Sequence, residues 1–268
     1  MKSNYRYIVK AFMAMAVIAG TTSCDDFLDR EPMSSISPET YYSTAAQLEA
    51  NLNDEYPNVL PSFGQWTYGI FGEDKGTDNQ IEVNANDRYT QDRWKVPHSE
   101  SDNWKFERIY RINFFLSEAL PKFGEDMSGS QNTISGSVAT IKHYIGEMYF
   151  LRAYEYFKKL QLFGDFPIIN QPLADEMEAL REASKRFPRN EVARFIISDL
   201  DKAYAYMSDV DMATTRINKD VAMLVKSRVA LFEATWLQNF KGTAFVPGGE
   251  GWPGASLHNN YQYPSGNI

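Results

Sequence analysis

Apolar positions recur every three or four residues through most of the chain, which is the signature of helices burying one face. The first helix is expected to open at Thr44. Thr44-Ala45-Ala46-Gln47 fits a capping box, in which Thr44 covers the Gln47 amide and Gln47 reaches back. Leu48, Leu52 and Tyr56 then share a face, and Pro57 is the expected stop. A second helix is predicted over about 102–120, with Phe106, Ile109, Asn113, Leu116 and Leu120 inward and Pro121 and Gly124 at its end. Trp104 falls in this span and is expected in the core.

The third helix, about 138–163, has the broadest apolar face: Ile141, Tyr144, Ile145, Met148, Tyr149, Arg152, Ala153, Tyr156, Phe157 and Leu160. Its tyrosines are expected in the core and Arg152 as a buried ion-pair partner. Gly164 suits its C-terminal cap. A fourth helix is predicted over about 191–208, capped by Asn190. It buries Phe195, Ile196, Asp199, Leu200, Ala203 and Met207. A fifth follows Asn218, with Ala222, Val225, Val229, Phe232 and Trp236 on its face. Residues 124–137 form a Gly/Ser-rich connector, and 240–268 are irregular. No alternating run is long enough to demand a large sheet. The expected fold is therefore all-α, a degenerate helical repeat with long irregular inserted loops.

The amino terminus changes the picture. Lys2, Arg6 and Lys10 precede the apolar run 11–20, and Thr21-Thr22-Ser23 leads to Cys24. This is the layout of a secretory signal. Ten apolar residues fall short of the ~20 that a spanning helix needs. Cys24 is the only cysteine, so no intrachain disulfide can form. Its position marks it as a lipidation site, which places the mature chain outside the cytoplasm on an acyl tether. The boundaries read as signal 1–23, lipidated leader 24–43 and helical domain 44–268.

The net charge is −8, and loss of the signal's three cations makes the mature chain more acidic still. That argues against nucleic acid as a partner. Chemical motifs are scarce. Gly249-Glu250-Gly251-Trp252-Pro253-Gly254 matches GxGxxG in letters only, because Trp-Pro sits within it and no helix follows; a glycine-rich surface loop is expected. His98, His143 and His258 are far apart in sequence, so no metal site is indicated. Asp199 and Asp201 cannot face each other on a helix. No catalytic residue and no cofactor are assigned.

The third helix and its exit carry a longer signature. Gly146-Glu147-Met148-Tyr149-Phe150-Leu151-Arg152-Ala153-Tyr154, Tyr156-Phe157 and then Phe163-Gly164-Asp165-Phe166-Pro167-Ile168 resemble the "FLRA…YF" and "GD-P" motif of RagB/SusD-type outer-membrane nutrient-binding lipoproteins. Cys24-Asp25-Asp26-Phe27-Leu28-Asp29 with Pro32, Trp104 to Asn113, Phe187-Pro188-Arg189 with Ser198-Asp199-Leu200, and Asn218 to Phe232 follow in the family's order. The resemblance implies tetratricopeptide-like repeats and a lipid-anchored protein on the cell-surface side of the outer membrane. It also implies glycan binding, a SusC-like TonB-dependent transporter as partner, and no enzymatic activity. Members are usually much longer, so the chain looks like an amino-terminal half. The apolar faces of its last helices are expected to lack cover.

The candidate ligand residues come from the aromatic insert 58–100, since loops this long are usually functional. Trp66, Tyr68 and Trp94 offer flat faces to sugar C–H groups, and Asp74, Asp78, Asn79 and Arg88 offer partners for hydroxyls. They are chosen by composition and position, not by a matched motif. The alternative is a helical-repeat scaffold that binds another protein and no sugar; it would bury these rings.

Overall fold

The computed structural model describes residues 41–61, 103–124, 126–208 and 215–264. Cys24, the signal, the leader up to residue 40 and all seven loop candidates (Trp66, Tyr68, Asp74, Asp78, Asn79, Arg88 and Trp94) lie outside the described residues. The described residues from Tyr42 onward belong to one compact unit.

The described residues are helical, and no strand occurs among them. In chain order the helices are α1 (Ala45–Val59), α2 (Glu107–Phe123), α3 (Val138–Phe163), α4 (Met177–Ala183), α5 (Arg189–Tyr206) and α6 (Lys219–Asn239), with a 3-10 turn at Pro253–Ser256. Packing follows sequence: α1 and α2 lie on α3, α3 on α5, and α5 on α6. This is the all-α stack of packed helices expected from the sequence.

Helix α3 is the axis of the stack. Tyr144, Tyr149 and Tyr156 are buried, as expected, and so is most of the helix around its whole circumference. It meets α5 at unusually short range. A Cβ on Gly146 would lie 2.8 Å from the Met207 amide nitrogen and 2.9 Å from the Ala203 carbonyl oxygen.

The capping box forms as predicted. The Gln47 N–H donates to Thr44 Oγ1 at 3.3 Å, and the Thr44 N–H donates to Gln47 Oε1 at 3.1 Å. Helix ends differ from expectation in four places. Pro57 and Pro121 lie inside α1 and α2 instead of stopping them. Each sits in the last turn, where one missing N–H breaks one bond and the helix closes a few residues later. Helix α2 starts at Glu107 rather than about 102. Trp104 therefore precedes the helix and is half-buried, packed edge-on against Phe106, Phe163 and Phe166. Helix α5 starts at Arg189, not at an Asn190 cap. Pro188, the residue before it, has no side-chain acceptor, and Asp165 supplies one from across the fold: its Oδ1 accepts the Arg189 N–H at 2.9 Å. Short α4 carries no buried residue and left no clear period in the sequence.

Candidate functional site

The signature on α3 builds a frame. Arg152 donates through Nε and Nη2 to both Asp199 oxygens at 2.7 and 2.8 Å, and through Nη1 to Asn113 Oδ1 at 2.8 Å and the Asn170 carbonyl at 3.1 Å. Its guanidinium also lies over the rings of Tyr149 and Phe195. This is the buried ion pair the sequence suggested. Tyr156 donates to the Ile169 carbonyl at 3.0 Å and accepts the Ile169 N–H at 2.8 Å. Arg152 and Tyr156 together hold the extended exit 165–170 against the helix, so these motif residues position backbone and are not open to a ligand.

That exit leads to a cleft. Gly164 ends α3 with φ 68°, and Asp165 follows. Asp165 Oδ2 accepts the Trp252 indole N–H at 2.7 Å, while Oδ1 caps α5. Burial pushes the Asp165 carboxyl above its ordinary value, and the Trp252 and Arg189 N–H donors pull the other way. Arg189, itself buried, holds Glu233 of α6 through Nε and Nη2 at 2.9–3.1 Å and lies over the Trp236 ring at 4.1 Å. The Trp236 indole N–H donates to the Phe245 carbonyl at 3.1 Å.

These ties leave a cleft of about 470 Å³ between the end of α3, the start of α5 and the 244–257 segment. Its volume is in the range of small-ligand sites. Phe163, Trp236, Phe245 and Trp252 give it aromatic walls, and Leu162 and Leu257 add apolar rim. Phe245 is 62% exposed. Asp165, Arg186 and Arg189 supply its charges.

None of the seven loop candidates can be placed here, since all lie outside the described residues. The cleft residues were missed because each looked ordinary in sequence. Trp236 reads as one more apolar position on a helix. Trp252 sits in the glycine-rich stretch expected to be a surface loop, yet it is buried. The available hint was a Trp-Pro pair inside that stretch, since a large ring is out of place in a solvated turn. Asp199 and Asp201 diverge as predicted: Asp199 is buried on Arg152, whereas Asp201 pairs with Lys226 at the surface.

Known proteins share this sequence pattern. The model of the SusD-like family described as starch-binding and associating with the outer membrane matches residues 26–231. Two SusD-like proteins of Formosa agariphila are each 25% identical. The alignments cover 90% and 80% of this chain, and 46% and 41% of those proteins. Among solved structures, a SusD-like protein from Bacteroides fragilis superposes with a TM-score of 0.49 at 19% identity, covering 79% of this chain and 39% of its own. A SusD-like carbohydrate-binding protein from Bacteroides vulgatus gives 0.49 at 15% identity, over 84% and 47%. The chain thus spans less than half the length of these relatives. The family match covers most of the chain, with the α3 signature at its centre, and the chain belongs to the SusD-like family.

Proposed function

We propose that this protein is a glycan-binding lipoprotein of the outer membrane that passes oligosaccharide to a SusC-like TonB-dependent transporter. The family match over residues 26–231 carries the reading. The cleft supports it, because it joins flat apolar surfaces to polar groups, as sugar recognition requires. Attachment would be through Cys24, and Trp66, Tyr68 and Trp94 would be further contacts for sugar.

Binding fits the cleft better than catalysis does. A glycosidase needs two carboxyl groups free to act as acid and as nucleophile or base. Asp165 is engaged by two N–H donors and Glu233 by the Arg189 guanidinium. The protein-only scaffold reading draws on the exposed leucines of α6, described below, and the same experiment separates the two.

The test is calorimetric titration of the mature chain with a panel of neutral and acidic polysaccharides. At least one should bind, and Phe245→Ala should weaken it about tenfold, or ~1.4 kcal/mol. Capture of the transporter with no binding to any polysaccharide would favour the scaffold and defeat the glycan reading.

A further inference from the structure

The polar groups of the cleft are not equally available. Asp165 has both oxygens filled by the Trp252 and Arg189 N–H groups. Arg189 spends its guanidinium on Glu233. Arg186 differs: it is exposed, its charge acts on Asp165 only through space, and no described residue takes a hydrogen bond from its guanidinium. It is nonetheless held in place. Its Cζ lies 4.6 Å from the centroid of the Trp104 ring, over the ring face. Trp104 is itself wedged edge-on against Phe163 and Phe166 at 4.8 and 4.9 Å. The Arg186 backbone is fixed as well, since the His258 Nε2–H donates to its carbonyl at 2.8 Å.

A guanidinium lying over an aromatic ring keeps its N–H edge open, and that edge matches a carboxylate with two parallel bonds. Resting on the glycan reading above, we infer that the cleft selects acidic sugars, with Arg186 receiving a uronate carboxylate. A pyranuronate ring carries that carboxylate beside an apolar C–H face, and the exposed Phe245, Leu162 and Leu257 offer surface for such a face. A neutral sugar would meet the same walls but leave the fork with single hydroxyl contacts. The overall charge of −8 would repel an acidic polymer elsewhere, so a local cation is needed to seat one.

The full chain is titrated with polygalacturonate, alginate and glucuronoxylan, with methyl-esterified polygalacturonate, and with neutral starch, dextran and laminarin. At least one acidic polymer should bind about tenfold or more tightly than every neutral one, and added salt should weaken it. Arg186→Gln should remove that preference, and Arg186→Lys should restore it only in part, because the charge returns without the fork. Circular dichroism on each variant confirms that the fold is kept. Binding of neutral glycans alone, unchanged acidic affinity in Arg186→Gln, or equal affinity for dextran sulfate would overturn the uronate assignment and leave the glycan reading standing. Binding of none of these polymers would overturn both.

Discussion

At the scale of single residues, the chain spends its buried charges on fixing backbone. Arg152 and Asp199 are both buried, and Arg152 has four hydrogen bonds spread over α2, α5 and the extended exit from α3. Arg189 and Glu233 repeat the device between α5 and α6. Glu147 does so nearer the amino terminus, accepting Tyr56 Oη–H at 2.6 Å and Arg216 Nε and Nη2 at 2.8 Å. Removing one member of such a pair strands the other without solvent. Arg152→Met should therefore cost about 3–5 kcal/mol. Arg152→Met with Asp199→Leu should recover most of that, because no charge is then left buried. Urea unfolding of the two variants measures the difference. A single variant as stable as the parent would show that Asp199 finds another partner.

At the scale of elements, local sequence sets a helix start where the capping group is a near neighbour and misses it where that group is distant. The capping box at Thr44 and the Asn218 cap of α6, which accepts the Val221 N–H at 3.0 Å, involve neighbours in sequence and were legible. The start of α5 was misplaced because its acceptor, Asp165, is 24 residues away. Pro57 and Pro121 misled because the cost of a proline depends on its turn, which the sequence does not announce. Gly146 shows the same limit from the packing side. In an isolated helix, alanine there would gain about 1 kcal/mol. Here the added methyl would strike the backbone at the end of α5. Gly146→Ala should instead destabilise by about 1–3 kcal/mol, read from the thermal midpoint. A raised midpoint would show that α3 and α5 can separate freely.

At the scale of the whole molecule, burial is uneven along the stack. Helix α3 is enclosed, whereas α6 buries only Ala222, Val229 and Glu233. Leu224 and Leu231 are 72% and 66% exposed. Leu224→Gln with Leu231→Gln should change unfolding free energy by no more than about 0.5 kcal/mol per site. It should also lower self-association in light scattering, since exposed apolar patches drive it. A large loss of stability would mean that these side chains are covered in solution.

What the sequence determined by itself was the pattern carried by neighbours: the five longer helices and their inward faces, the capping box, the family signature on α3, and the expectation of a buried Arg152. The tertiary structure decided what that signature is for. Asp165 caps a helix and orients Trp252, and Arg152 and Tyr156 clamp the extended segment after it, so the motif shapes a cleft without lining most of it. The cleft walls come from residues up to about ninety positions apart, Phe163 and Trp252 among them. No period or spacing links such positions, because only the packing of α6 and its following segment against the end of α3 brings them together.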